Sequence, residues 1–586
     1  LLLFGYPPRV RASLAALGLL ILAAFPGVLL ADVLLSTRPS FERRVVGLVS
    51  GFGLLLIASF VCTSLHVPML ALLLMAGAAI VAGRLWIQRA SPSAPSLPVG
   101  PGGWTAMAVV LAAAFAWFAI PVWLRVLPQG WDPAFHVSAI ELIRTEQHIP
   151  DTWAPFEPFE KFNYPPALHS VLALYARLAD LPSDRVFTLA LLGAGALNLV
   201  MVLLLGWRVG GQLAAGLLAV IVYGFTDGWG TLASHASWGG LANLTSLLFM
   251  WAILLTCLEP GRGPRIATTL LAVAMVVLHH LSFAIAGFTI FFIAGLEWLA
   301  ERRWSEPVRT ALWATGVAVV SAGVLVLTRP SGRFSVAEAF HFDREAMITL
   351  PRMVEAVGWP VMLLGGIGLV LALMSRLDPP MRMLAGWTVG LLAFWVTWDI
   401  VYRTGAWALT HQVFTAFTPS RGLTDAAVLL AVMGGVLLWR ILREWPHPPV
   451  WIGAFLLVAV AYGWDAENGR VNGARNAAFS AERARAFCAE VRRTTPEDAV
   501  VLAKDFGEVD VWLPYLCERE LNYFPDPGYA TSPYRDAKMR ERDPEAFARV
   551  VRRERPRPIY FATRRTFNGG RLIFTLGDWR LYEVPS

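Results

Sequence analysis

The sequence is poor in charge. Only 16% of its 586 residues are Asp, Glu, Lys or Arg, where a soluble domain carries about 25%. Cysteine is nearly missing: the four residues are scattered, with no pair at metal-ligand spacing. These scarcities exclude a cytosolic enzyme, a disordered chain and a disulfide framework. Cys62 and Cys257 fall in apolar runs and read as small core residues. No periodic repeat runs through the chain. Its opening, LLLFGYPP, lacks the basic leader and small-residue cleavage site of a signal peptide.

What is present is apolar surface. The chain is 56% hydrophobic with a mean hydropathy of +0.55, and a disproportionate share of its charge lies after residue 460. The first three quarters therefore read as membrane and the tail as a water-soluble domain. Runs able to cross about 30 Å of hydrocarbon, about fourteen in all, lie near 14–32, 45–63, 67–85, 104–123, 186–207, 210–226, 238–257, 266–280, 282–299, 308–327, 357–375, 382–400, 421–439 and 449–463. The expected fold is a polytopic all-α membrane protein with a C-terminal soluble α/β domain.

Charge bias sets the sidedness. The segment 167–178 is too short to span comfortably, since twelve residues rise only about 18 Å. With it lying on the surface, Arg208, Arg262, Arg265, Arg302, Arg303, Arg376, Arg382, Arg440 and Arg443 all fall on one side. Arg38, Arg43, Arg44, Arg84 and Arg89 join them, and the positive-inside rule makes that side cytoplasmic. The formal charge of +7 needs no nucleic acid to explain it. Expected domains are an N-terminal transmembrane bundle 1–85, a Pro/Ser/Gly-rich cytoplasmic linker 86–103, a transmembrane module 104–463 and an extracytoplasmic domain 464–586. The long connections 124–185, 226–237, 328–356 and 400–420 then face outward from the plasma membrane.

Those connections carry the residues able to do chemistry. After the fourth span comes Gly130–Trp131–Asp132–Pro133, which reads as a helix start with Asp132 as cap and Pro133 in the first turn. His136 follows one turn later on the same face. A structural cap and a chemical pair are both open readings. Phe162–Asn163–Tyr164–Pro165–Pro166 forms a stiff step into a surface helix bearing His169, with Lys161 before it as a contact for an anion. The loop from Thr226 holds Asp227 and His235 among Trp and Gly residues, a composition suited to a sugar face or a lipid groove. His279 and His280 are adjacent, point about 100° apart, and are poor ligands for one metal. Arg403 and Arg421 sit at outward span ends, against the positive-inside bias, where a carboxylate or lipid phosphate would partner them. His411 lies in the loop between them.

These residues resemble the GT-C superfamily of integral-membrane glycosyltransferases, near the protein mannosyltransferase, aminoarabinose transferase and cell-envelope arabinosyltransferase groups. Asp132 matches the acid of the first outer loop and Tyr164–Pro165–Pro166 the Pro-Pro step. Leu181–Pro182–Ser183–Asp184–Arg185 matches the entry to the next span, and Gly206–Trp207–Arg208–Val209–Gly210–Gly211 the turn after it. Pro133 stands where the family often has a second acid. The resemblance implies transfer of a sugar from a polyprenyl-phosphate donor to a cell-envelope glycan, lipid or protein acceptor. It implies Asp132 as base, His136 as its aid, and Lys161, Tyr164, His169, Asp227, His235, Arg403, His411 and Arg421 as substrate contacts. A metal such as Mg2+ or Mn2+ could replace part of the Arg or Lys charge, and no ligand set identifies one. A transporter or flippase, expected to show inverted repeats and mid-span ionisable residues, and a non-catalytic envelope scaffold are the competing classes.

In the tail, Ala481–Arg493 has helical composition, and Ala499–Leu502, Pro558–Ala562 and Arg571–Leu576 read as strands, with Asn568–Gly569 as a turn between the last two. Cys488 and Cys517 are either two free buried thiols or one disulfide, and spacing does not decide between them.

Overall fold

The computed structural model describes residues 24, 26–36, 38–64, 99–128, 131–162, 165–228, 230–233, 235, 240–328, 350–374, 379–404, 419–521, 541, 543–554 and 557–585. Its principal helices are α1 (Ser40–Ser64), α2 (Pro101–Leu124), α3 (Trp131–Glu146), α4 (Ala167–Ala179), α5 (Ser183–Gly210), α6 (Leu213–Phe225), α7 (Leu241–Cys257) and α8 (Arg262–Leu278). They continue as α9 (His280–Glu301), α10 (Glu306–Thr328), α11 (Leu350–Val357), α12 (Trp359–Met374), α13 (Pro379–Arg403), α14 (Pro419–Leu442) and α15 (Pro448–Thr494). A helix coincides with each expected span except 67–85, which lies outside the described residues, and 14–32, described only in part. Among the described residues, seven helices are long and apolar enough to cross a membrane. Four of the others, including α4, α6, α7 and α12, are shorter apolar helices of 10–17 residues.

Close packing of small residues holds the bundle together, as it must where lipid offers no hydrophobic drive between helices. The central helix α14 packs against α6, α12 and α13. A Cβ at Gly435 would come within 2.3 Å of the Ala219 backbone on α6, so only glycine permits that crossing. Helix α13 runs antiparallel to α9, with Gly386 against Ile293 and Gly390 against Thr289.

One end of the bundle gathers the basic connections. Arg38 is fully buried, pairs with Glu42, and holds Glu259 at 2.9 Å; Arg208 reaches the same Glu259. Arg265 meets Glu306 at 2.7 Å, and Arg382 lies 3.5 Å from Glu301. Helix α1 packs directly on α8 and α4, so this N-terminal helix is part of the main body.

The opposite end carries α3, a small antiparallel pair β1 (Thr152–Trp153) and β2 (Glu157–Lys161), and the amphipathic helix α4. The C-terminal domain docks on this end. Its sheet has the order β4-β3-β5-β7-β6, with β3 (Val500–Lys504), β4 (Glu520–Leu521), β5 (Ile559–Thr563), β6 (Arg571–Leu576) and β7 (Trp579–Glu583). β3 pairs in parallel with β4 and β5, while β7 runs antiparallel between β5 and β6. The Asn568–Gly569 turn thus does not close a hairpin. The tight hairpin is β6–β7, turning at Gly577 with φ +62, and β7 inserts its buried Trp579 and Leu581 into the core.

Two features tie this domain to the bundle. First, α15 is one helix of 47 residues. The span expected at 449–463 and the helix expected at 481–493 are therefore its two ends, and the boundary drawn at 463 falls within it. Between Val450 and Thr494 there is no proline to break it, and Gly463 is seated against Trp117 and the Phe225 carbonyl. Second, Asp184, fully buried in the first turn of α5, pairs with Arg485 of α15 and accepts a hydrogen bond from the Tyr515 hydroxyl at 3.2 Å. Around this contact is a cleft of about 380 Å³ lined by Glu141, Arg144, Asp180, Arg485, Arg492 and Tyr515.

Cys488 on α15 is bonded to Cys517 at the end of the short helix α16 (Leu513–Cys517). Alkylation of the unfolded, unreduced protein is expected to label only Cys62 and Cys257, which are free. Reduction should add two labels by mass, and four labels without reductant would refute the bond.

Candidate active site

Helix α3 begins at Trp131, so Asp132 is its second residue, two positions past the cap, where the expected reading made it the cap itself. The positive end of the helix dipole still favours a carboxylate there. Only the backbone position of Asp132 is described. The inward face of α3 is closed by Phe135, Val137, Ala139 and Ile140, all buried.

His136 points into this interior, 5% exposed, stacked on Phe187 with centroids 5.9 Å apart. Its Nδ1 lies 2.9 Å from Nε2 of His169, which is 1% exposed on α4. His169 Nδ1 in turn donates to the Pro165 carbonyl at 3.1 Å. The Pro165–Pro166 step, with Pro166 capping α4, thus holds a histidine against α3. Two expected site residues 33 positions apart are brought together.

His279 stands at the break between α8 and α9. Its backbone is extended, and its Nδ1 accepts from the Ser282 amide at 3.3 Å, capping α9. The Ser282 hydroxyl is 2.7 Å from that of Ser246 on α7, which also bonds the Asn243 carbonyl. The Asn243 side chain reaches His235 Nε2 at 3.0 Å, and His235 Nδ1 donates to the Thr231 carbonyl at 2.9 Å. His235 is fully buried with both ring nitrogens bonded inside the chain, which makes it a brace for its own loop. Asp227 is held at 3.0 Å by Arg470 of α15, which also binds Glu467.

Arg403 ends α13 and Arg421 lies in the first turn of α14, so both mark one end of an adjacent antiparallel pair. Since α13 starts beside Glu301 and runs back along α9, that end is the His279 end. Their side chains, and that of Lys161 at the close of β2, lie outside the described residues, as do Tyr164 and His411 altogether. Among the described residues, no three His, Cys, Asp or Glu side chains converge as a metal would require.

Burial depresses the histidines. It pulls His169 down to about 4, against the opposing pull of the Pro165 carbonyl. It pushes His136 well below its usual range, helped by the neighbouring His169 and His279 rings. Unfolded histidine titrates near 6.5. Between pH 6.5 and 4 the unfolded chain therefore binds a proton that native His169 refuses, and stability falls as pH falls through that window. The expected loss is about 3 kcal/mol for His169 alone. Thermal midpoints at pH 7.5, 5.5 and 4.5 check it, and a His169→Gln variant should show a shallower slope.

Sequence reading missed the polar chain that runs from His279 through Ser282 and Ser246 to Asn243. The one available signal was the His-x-x-Ser spacing at an apolar helix start, which is a capping pattern more than a site pattern.

No family model matches the sequence, and no curated protein matches it. Solved structures do. ArnT from Cupriavidus metallidurans bound to undecaprenyl phosphate is 12% identical, with 83% of this chain and 98% of that one covered at a TM-score of 0.54. The same protein in the apo state gives 13% identity, 82% and 98% coverage, and a TM-score of 0.54. The Archaeoglobus fulgidus oligosaccharyltransferase is 14% identical over 79% of this chain and 69% of its own, with a TM-score of 0.48. At such identities the likeness to ArnT is one of fold: the chain is a largely helical polytopic membrane protein with a small mixed-sheet domain at its C-terminus.

Proposed function

We propose that this protein transfers a sugar from a polyprenyl-phosphate donor to a hydroxyl-bearing cell-envelope acceptor at the outer face of the plasma membrane. The observation that carries the reading is the fold shared with ArnT, whose structure holds undecaprenyl phosphate. The grouping of Arg38, Arg208, Arg265 and Arg382 at the bundle end opposite the histidines supports an outward-facing site.

In the proposed step the acceptor oxygen bonds to the anomeric carbon as the bond from that carbon to the phosphate oxygen breaks. The bonding pair leaves on the polyprenyl phosphate, and Asp132 takes the acceptor's hydroxyl proton. Arg403 and Arg421, with Lys161, meet the phosphate charge; fixed cations at that position are worth most as the leaving group develops charge. His136 orients the acceptor. Asp227 is a further candidate sugar contact, as are Tyr164 and His411, which lie outside the described residues. A resident metal, Mg2+ or Mn2+, is left to experiment.

Arg421→Ala is expected to weaken binding of a polyprenyl-phosphate sugar about 10- to 100-fold, the cost of a hydrogen bond to a charged group. Its thermal midpoint should stay within a degree or two of the parent. Unchanged donor affinity would put the phosphate elsewhere.

A further inference from the structure

The cleft at the seam between bundle and tail is walled from four sides. Arg144 comes from the last turn of α3, Leu181 and Pro182 from the turn into α5, Arg485 and Arg492 from α15, and Tyr515 from α16. Its hydrogen-bonding capacity is one-sided. Glu141 has both carboxylate oxygens engaged, one by Arg144 Nη2 and the other by Arg144 Nε at 3.0 Å and the Ser183 hydroxyl at 2.7 Å. Asp184 gives one oxygen to Arg485 and the other to the Tyr515 hydroxyl. The remaining acids of the lining, Asp180 and Glu518, are exposed and screened by solvent. The arginines keep donors in reserve. Among the described residues, Arg144 bonds only Glu141 and leaves Nη1, and Arg485 bonds only Asp184, through Nη2. Arg485 Nε is buried with no partner there. Arg492 bonds the Leu516 carbonyl and Glu518 through Nη1 alone, which leaves Nε and Nη2, the two donors of a side-on fork.

Donors in excess of acceptors call for a group that only accepts, and a carboxylate or phosphate meets an Arg fork with two oxygens. Leu181, Pro182 and the Tyr515 ring add apolar surface beside the charge, the match for a sugar ring with its C–H faces. The volume of about 380 Å³ is at the low end for small-molecule sites, about 300–1,000 Å³, and too small for a folded partner. Helix α5, 28 residues and about 42 Å long, exceeds the roughly 30 Å of hydrocarbon, and the cleft lies at its outer end, on the water side. Arg144 is about 18 Å of helix rise beyond Asp132 on α3, farther than one sugar ring reaches.

We propose that this cleft binds an acidic sugar unit of the acceptor, one bearing a carboxylate or a phosphate and separate from the unit that reacts. Arg492 takes the anion with its free fork, Arg485 and Arg144 add their spare Nη1 donors, and the sugar ring lies against Pro182 and Tyr515. The inference rests on the transferase reading only in making that sugar part of the acceptor.

The test is calorimetric titration of the full-length protein in nanodiscs, which needs no turnover. Methyl glucuronoside or mannose 6-phosphate should bind at least tenfold tighter than neutral methyl glucoside and tighter than inorganic phosphate. Arg492→Lys keeps the charge and a donor for the Leu516 carbonyl but loses the fork, and should weaken the acidic sugar about tenfold with little change in thermal midpoint. Arg492→Met should weaken it further, and the lysine variant covers the case that this one does not fold. Equal binding of acidic and neutral sugars, inorganic phosphate binding as tightly as either acidic sugar, or indifference to the lysine exchange would overturn the site. So would loss of acidic-sugar binding when phosphatidylglycerol replaces phosphatidylcholine in the nanodisc, since the occupant is then a lipid headgroup. Farnesyl phosphate, titrated in parallel, tests the donor reading: acidic-sugar binding without it sinks the transferase reading and the acceptor role, and leaves the sugar site standing. Farnesyl phosphate bound with neither acidic sugar sinks the cleft alone.

Discussion

Asp132→Asn is expected to fold and bind the lipid donor as the parent does, yet turn over slower by about 100-fold or more. Asparagine is nearly isosteric and suits a helix start about as well as aspartate, so the first turn of α3 keeps its form. What goes is the group that can take a proton. If Asp132 only started the helix, both stability and turnover would survive the exchange, and single-turnover transfer from a polyprenyl-phosphate sugar separates the outcomes. His136→Gln belongs in the same experiment. It is expected to raise the acceptor KM more than it lowers kcat, because His136 orients the acceptor in the proposed step while the proton leaves to Asp132.

The other large effect is expected at the seam between bundle and tail. Arg485→Leu leaves the Asp184 carboxylate, fully buried, with the Tyr515 hydroxyl at 3.2 Å in place of a full charge partner. Breaking a buried pair by removing one member costs about 3–5 kcal/mol. The partial exposure of Arg485 argues for the lower end. The variant should lose several degrees of thermal midpoint and release the C-terminal domain to limited proteolysis. Adding Asp184→Asn should recover much of the loss, since the uncompensated charge is then gone. An Arg485→Leu protein as stable and protease-resistant as the parent would mean that the seam is held elsewhere.

The membrane helices were legible because a span is a bulk property: twenty apolar residues announce themselves whatever surrounds them. The surface position of 167–178 came from charge bias, and the structure gives that segment an amphipathic helix buried under α1 and α3. The pairing of His136 with His169 was not legible, because it depends on how a proline step aims one helix at another. Both residues were singled out, but for separate roles. His279 was weighed only as a metal ligand, and a capping role needs the backbone break at 279 to be known. In the tail, the strands at 500–504, 559–563 and 571–576 followed from their β-branched and aromatic runs. The place of β7 did not, since neighbours in a sheet are set by tertiary packing and the Asn-Gly pair mimicked a hairpin. The continuity of α15 was hidden by its change of composition, from lipid-facing to water-facing, at a point where the backbone has no reason to stop.

That continuity has a mechanical consequence. A helix of 47 residues is a rod about 70 Å long, and this one has its first half beside the membrane helices while its second is bonded to the soluble domain through Cys488 and pinned to α5 through Arg485. There is no swivel along it. A tilt of only about 5° displaces one end of such a rod by about 6 Å relative to the other, more than one helical turn. A change of tilt in this span, one way a helix meets a bilayer of different thickness, is therefore expected to be felt at the cleft lined by Arg485 and Tyr515.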